Sequence, residues 1–277
     1  MSGTNIPNKA ASFAVVSGKG GVGKTNLALN LGYALHRGGH RVLLMDCDLG
    51  LANLDVLLGL TPDKNLQDLL SPDTRPDDVV VPIEPGGFDF LPSASGVPEL
   101  IDLDEDVQAL LFERLNALIG GYDFLLLDLG AGISRTVLRF AAMTRERLVV
   151  ITPEPTSLTD GYAMIKVMLT SHGVRDFQVV VNMAASAEEG KRSFERLHAA
   201  CARFLDLDIK YAGCVRSDPA VPRAVIRQTP LLKLAPGSDA GRDILQIAVR
   251  MKRMRDAQLP EIGGGSGLDV PSGPNVQ

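Results

Sequence analysis

Apolar residues in this chain gather in short runs, each followed by a longer stretch of helical composition. Ser12 to Ser17 and Arg41 to Met45 are of strand length and continuous enough for burial on both faces. Tyr122 to Leu127, Leu148 to Thr152, Phe177 to Val181 and Ile209 to Val215 repeat the type. Between them lie predicted helices: Asn26 to Leu35, stopping at Gly38-Gly39, one ending near Ile119, one after Pro155 to about Ser171, one from Ser186 to Phe204, and a last one from Ser238 to Arg255. This alternation predicts an α/β fold with a doubly wound, mostly parallel sheet and helices on both faces. Thr61 to Pro98 breaks the rhythm. It holds a short helical piece (Asn65 to Leu70), a Pro/Asp-rich connector (Ser71 to Asp78) and extended runs at Val79–Val81 and Phe88–Leu91, with Pro82, Pro85, Gly86 and Gly87 between them. That reads as an insertion at the sheet edge, not a second domain.

The first strand–helix junction carries the chemistry. Gly18-Lys19-Gly20-Gly21-Val22-Gly23-Lys24-Thr25 fits the phosphate-loop pattern G-x-x-x-x-G-K-[ST] at every fixed position, with a strand before it and a helix after it. Glycines at 20, 21 and 23 let the backbone curl and aim N–H groups at phosphate oxygens, and the helix start adds its positive dipole end. Lys24 is expected on the β- and γ-phosphates and the Thr25 hydroxyl on Mg²⁺, with Val22 and Asn26 completing the turn. A glycine-rich turn that binds nothing would not need this context. The sheet is therefore expected to be of the P-loop NTPase type, with ATP and Mg²⁺ as cofactors.

Carboxylates follow at two other strand ends. Asp46-Cys47-Asp48 closes the second strand, and side chains two apart point the same way. Beside a phosphate loop one can orient Mg²⁺ through water and the other can position an attacking water; equally, the pair can form a turn or cap a helix. Asp128 ends the run Tyr122 to Leu127 and is placed to hold the metal through its waters. Leu129 to Ser134 then leads into a helix, its glycines permitting close approach to a γ-phosphate. Asn182, at the end of another strand, offers both donor and acceptor to an adenine edge. The acidic run Asp102, Asp104, Glu105 and Asp106 suits a helix N-terminus better than an acidic site.

Composition narrows the picture. At 277 residues, with 45% hydrophobic side chains, no Trp and only 5% aromatics, one large Leu/Val/Ala-rich α/β domain is expected. A net charge of −5 argues against a nucleic-acid-coating surface. Cys47, Cys201 and Cys214 are widely spaced, which excludes a disulfide framework and zinc or iron–sulfur spacing and suits a reducing compartment. Met1 to Ala11 has neither a basic start nor an apolar centre, so no secretory signal is expected there. No apolar run reaches the length of a membrane span. The last helix has Ile244, Ile247, Ala248 and Met251 on one face and Arg242, Arg250, Lys252, Arg253 and Arg255 on the remainder. It reads as a core helix with a solvated basic face, or as a helix lying on anionic lipid.

The extra Lys19 gives the loop a deviant Walker form, Lys-Gly-Gly-x-Gly-Lys-Thr, which resembles that of the MinD/ParA group of ATPases. Leu49 to Leu60, Gly130-Ala131-Gly132-Ile133 and Pro153 to Asp160 are most similar to the FlhG (FleN) branch, the MinD-like regulators of flagellar number. The resemblance spans residues 12–257, leaving 1–11 as a flexible N-terminus and 258–277 as a disordered Gly/Ser/Pro-rich tail. It implies a slow, switch-type ATPase that dimerises on ATP. Lys19 would cross to the nucleotide of the other subunit, Asp48 would activate water, and Asp46, with Thr25 and Asp128, would serve the metal. Pro153 to Asp160 would sit at the dimer interface, and Ser217 to Pro222 would cover the base opposite Asn182. Implied partners are an FlhF-like flagellar GTPase and basal-body or regulator proteins. The implied location is the cytoplasm, with peripheral contact at the inner face of the cell membrane. Division-site and DNA-segregation roles are the alternatives; the missing terminal lipid helix and the acidic balance weigh against them.

Overall fold

The computed structural model describes residues 10–48, 54–93 and 105–262. Its strands are β1 (Ala11–Ser17), β2 (Val42–Cys47), β3 (Val81–Glu84), β4 (Phe88–Leu91), β5 (Phe124–Ala131), β6 (Glu146–Ile151), β7 (Phe177–Ala184) and β8 (Lys210–Arg216). They form one sheet in the order β3-β4-β2-β5-β1-β6-β7-β8, parallel throughout except for β3, which runs antiparallel at the edge. The doubly wound α/β expectation therefore holds. The central helices are α1 (Lys24–Arg37), α2 (Leu54–Leu58), α3 (Glu105–Ile119), α4 (Arg135–Met143), α5 (Pro155–His172) and α6 (Ala187–Leu205). Beyond β8 come α7 (Ala220–Ile226), α8 (Leu231–Leu234) and α9 (Asp239–Ile262).

Side-chain alternation along the strands divides the interior into two cores. On β5, Phe124 and Leu126 face the layer built from α1, α7, α8 and α9, while Leu125, Leu127 and Leu129 face that of α3 to α6. Because both faces are covered, the strands read as continuous apolar runs. Helix α1 lies close on the sheet at Gly32, where a β-carbon would come within 2.7 Å of the Phe88 ring. At the edge, Asn65 caps the 3-10 turn Leu66–Leu70: its Oδ1 accepts the Gln67 N–H and its own N–H donates to Asp68 Oδ2.

Several boundaries differ from expectation. The first edge strand begins at Val81, because Pro76–Val79 closes into a 3-10 turn with Pro at its start. Ala10 and Ala11, expected in a flexible terminus, are buried, and Ala11 pairs with Phe124 at the start of β1. Strand β7 continues through Asn182 to Ala184 instead of ending at Val181, and β5 takes in Gly130 and Ala131. Helix α9 runs to Ile262, past the expected end at Arg255 and into the segment expected to be disordered. Arg255 is not on a solvated face. It is buried, donates from Nε to the Asp123 carbonyl (3.0 Å) and pairs through Nη2 with the Asp123 carboxylate. Residues 1–9, 49–53, 94–104 and 263–277 fall outside the description, and with them parts of the expected N-terminus, Leu49 to Leu60 region, acidic run and tail.

Candidate functional site

The C-terminal ends of β1, β2 and β5 converge where the strand order reverses, the usual ligand edge of such a sheet. The loop from Gly18 to Gly23 leaves β1 here and is tightly placed. A β-carbon on Gly18 would lie 2.1 Å from the Asp160 carbonyl oxygen, so only glycine lets the loop pass against α5. Ser17 Oγ donates to the Lys19 carbonyl at 2.6 Å. Gly21 and Gly23 have φ of 77° and 83°, the left-handed region that other residues enter at a cost. Gly23 is the N-cap of α1 and has no side chain to cover the helix's first N–H groups. A curled loop with a bare helix start is an anion cradle.

Under the loop sits a charged cluster with little access to water. Lys24, Asp46 and Asp128 are 8%, 2% and 1% exposed, and Asp46 and Asp128 are register partners on adjacent strands. Burial lowers the pKa of Lys24, opposed by the charges of Asp128 and Asp48. Burial pushes Asp128 up to about 7; a hydrogen bond with Thr25 opposes this, and the neighbouring Asp46 adds to it. Asp128 Oδ1 is buried without a hydrogen-bond partner among the described residues. Such an orphan oxygen is costly unless something bound to the site engages it. Cys47, between the two aspartates, is fully buried and its thiol is held well above its usual pKa by burial.

Asp46 and Asp48 show both readings of their spacing at once. Asp46 Oδ1 accepts the Asp48 backbone N–H at 2.9 Å, a local turn that also sets Asp48 over Gly130. A β-carbon on Gly130 would come within 3.2 Å of Asp48 Oδ1. The glycine segment after Asp128 is tied to the phosphate loop by Gly132 N–H donating to Ser17 O (2.9 Å). The structure thus brings Gly18, Gly20, Gly21, Val22, Gly23, Lys24, Thr25, Asp46, Asp48 and Asp128 to one end of the sheet.

Lys19 stands apart from that cluster. Its Nζ lies 2.8 Å from Glu154 Oε2 and 3.3 Å from Thr156 Oγ1, on an open face at the start of α5. Ser157 caps the end of β6 by accepting the Thr152 N–H at 2.9 Å, so the Pro153 to Asp160 loop is held on both sides.

On the other side of the loop, Asn182 Nδ2 donates to the Val22 carbonyl at 2.8 Å. Asn182 and Asn26 line a cavity of about 470 Å³ with Gly23, Met183, Val221 and Ile226. Ser217, Asp218 and Pro222 form part of its wall, where a covering loop was expected. Asp218 is committed to the framework: its carboxylate accepts N–H groups at the starts of α7 and α9, Ala220 at 2.8 Å and Ala240 at 3.3 Å. Arg216, another lining residue, is held by Asp243 and Asp239. Met183, Val225, Ile226 and Arg216 were not legible in the sequence, since nothing in their spacing sets them apart from core or surface residues.

A parallel sheet with a glycine cradle, a buried lysine, paired carboxylates and an adjacent base-sized cavity defines a P-loop nucleotide-binding protein. The profile of the CobQ/CobB/MinD/ParA nucleotide-binding domain matches residues 13–231. The antiactivator FleN of Pseudomonas aeruginosa is 40% identical over 239 residues, covering 86% of this chain and 85% of FleN. The flagellum site-determining protein YlxH of Helicobacter pylori is 34% identical over 238 residues, covering 85% and 80%. Among solved structures, a chain of the Aquifex aeolicus MinC:MinD cell division complex superposes with a TM-score of 0.71 at 29% identity, covering 88% of this chain and 96% of that one. The chain belongs to the MinD/ParA family of nucleotide-binding ATPases, and within it to the FleN (FlhG) branch.

The site fits nucleotide and Mg²⁺ by its own chemistry. Among the described residues no group of three or more His, Cys, Asp or Glu gathers as an all-protein metal cage. Magnesium in phosphate sites is held instead by a hydroxyl and one or two carboxylates together with phosphate oxygens and waters, the donor set that Thr25, Asp46 and Asp128 offer. No helix among the described residues is long and apolar enough to cross a membrane.

Proposed function

We propose that this chain is an ATP-driven dimerising switch that sets flagellar number and placement. The observation that carries it is the buried Lys24–Asp46–Asp128 cluster beneath a glycine cradle, in a chain 40% identical to FleN along most of both lengths. The loop N–H groups and Lys24 hold the β- and γ-phosphates, while Thr25, Asp46 and Asp128 hold Mg²⁺, which neutralises phosphate charge when bound. Asp48 orients the attacking water, and Asn182 reads the adenine edge. Lys19 leaves Glu154 and reaches the nucleotide of a second subunit, so ATP closes a homodimer and slow hydrolysis opens it. Partners on this reading are an FlhF-like GTPase and basal-body or regulator proteins, met in the cytoplasm or at the inner face of the membrane.

Gel filtration with a non-hydrolysable ATP analogue, alongside phosphate release with ATP, tests the switch. Wild type should dimerise and turn over slowly. Lys19→Ala should bind ATP yet stay monomeric, and Asp48→Ala should dimerise without turnover. A Lys19→Ala dimer, or normal phosphate release from Asp48→Ala, would remove the corresponding role. Flagellar counts in cells lacking the gene then test the process: extra or misplaced flagella support it, and a normal count overturns it.

A further inference from the structure

The phosphate end of the site is rigid and polar, but the base end contains an accessible thioether. Of the described methionines, Met45, Met143, Met164, Met168 and Met251 are buried and Met254 is half-buried, whereas Met183 is 47% exposed. Met183 lines the cavity beside the phosphate loop. Its Cε lies 3.2 Å from where a β-carbon on Gly23 would sit. The backbone places it there deliberately. Met183 has a φ of 57°, in the left-handed region, and the β7–β8 register shifts between Val181 and Ala184. A bulge of this kind re-aims a side chain next to a binding site, and a strained non-glycine φ persists only where the surroundings enforce it.

We propose that Met183 is the platform on which the base of the bound nucleotide rests, and that in the empty protein it is the preferred site of peroxide oxidation. Nucleotide occupancy would shield it, and its oxidation would weaken nucleotide binding. Two properties of the side chain support this. A thioether is polarizable and packs favourably against aromatic rings, which suits it to a purine face. Exposure governs methionine oxidation, and the sulfoxide is polar and chiral where the thioether was apolar. In the reaction a sulfur lone pair takes one oxygen from hydrogen peroxide as the O–O bond breaks. Sulfur is oxidised by two electrons, the S–O bond forms, and the second oxygen leaves as water after taking up both peroxide protons. The new S–O dipole then lies in a cavity that the apolar Val221 and Ile226 also line. Cys47 and Cys201 are buried and Cys214 is half-buried, which leaves Met183 the most open sulfur among the described residues.

This inference rests on the nucleotide reading above, and the experiment separates the two. Full-length protein is treated with dilute hydrogen peroxide and its peptides are weighed over time, alone, with saturating ADP, or with saturating pyrophosphate. ADP affinity is measured before and after treatment. Met183 should gain one oxygen first, ADP should slow that gain, and pyrophosphate, which has no base, should leave it unchanged. Oxidised protein should bind ADP roughly two- to ten-fold more weakly, the span that loss of a sulfur–aromatic contact gives. Methionine sulfoxide reductases should restore the affinity. Met183→Leu, which lacks the same sulfur contact, should bind ADP roughly two- to ten-fold more weakly from the outset and lose nothing further to peroxide. An untreated protein that fails to bind ADP would overturn both readings. Normal ADP binding with no protection of Met183, with undiminished affinity after oxidation, or with equal peroxide loss in Met183→Leu would overturn this one alone.

Discussion

Asp123, just before β5, and Asp128, within its C-terminal half, are handled in opposite ways. Asp123 is fully engaged. Its Oδ2 accepts the Arg41 N–H at 3.0 Å and lies 3.7 Å from His40 Nδ1, while its Oδ1 pairs with Arg255. His40, whose pKa is lowered by burial, and Arg255 both pack on the Phe124 ring at that end. Asp128 is the more deeply buried of the two, yet one of its oxygens has no partner and burial pushes it up to about 7. One carboxylate holds a helix to the sheet. The other is costly to ionise unless something bound to the site engages it. Stability and function are thus assigned to the two edges of one sheet, where the backbone can supply partners at one end and withhold them at the other.

The contrast can be broken at either end. The largest effect should come from Asp123→Ala, which leaves the 10%-exposed Arg255 only the distant, half-exposed Asp256 carboxylate at 3.9 Å. We expect a loss of about 2–4 kcal/mol, because removing one partner strands a buried charge. Denaturant unfolding checks this, and nucleotide affinity should persist in the folded fraction. If stability is unchanged, Arg255 is not anchored as described.

Asp128→Asn should act in the other direction, stabilising the metal-free, nucleotide-free protein by about 1–2 kcal/mol at pH 8 while abolishing Mg²⁺-dependent turnover. The sign follows from linkage. Because the folded value is about 7 against an ordinary 3.8, the native state holds more protons than the unfolded state between those limits. Wild-type stability should therefore fall as pH rises from about 4 to about 7, and the Asn variant should lose that contribution to the slope. Melting temperatures across that range decide it. A parallel profile in the variant would show that Asp128 is not the strained group.

The smallest effect sharpens the comparison by its size. Lys252 and Asp256 form an i,i+4 pair on the same α9 that Arg255 anchors, but both are open to solvent. Lys252→Ala should cost less than about 0.5 kcal/mol, since water screens exposed pairs. A loss approaching that of Asp123→Ala would mean that helix contacts in general, not the buried Arg255, hold α9 in place.

Much of the fold was legible because its strands are local apolar runs and its helices have local stops. The phosphate loop was legible because all its parts are contiguous. The errors fell where a neighbour distant in sequence intervenes. Ala10 and Ala11 read as a flexible end, but Ala11 N–H bonds the Asp123 carbonyl at 2.9 Å. Arg255 read as one more solvated basic residue, but its partner Asp123 lies 132 residues earlier, just before the central strand β5. Asn182 read as a strand end, but the bulge carries β7 on to Ala184.

By itself the sequence determined the class of site. A run of glycines with Lys24 and Thr25 between a strand and a helix admits little besides a phosphate cradle, since only backbone N–H groups and one buried cation can be presented that way. Only the tertiary structure decided that Asp46 faces Asp128, that Asp123 holds Arg255, and that Met183 opens onto the cavity beside the phosphate loop. Each of these depends on which elements become neighbours, and for Asp46 and Asp128 a one-residue slip of register would turn one of the two to the opposite face.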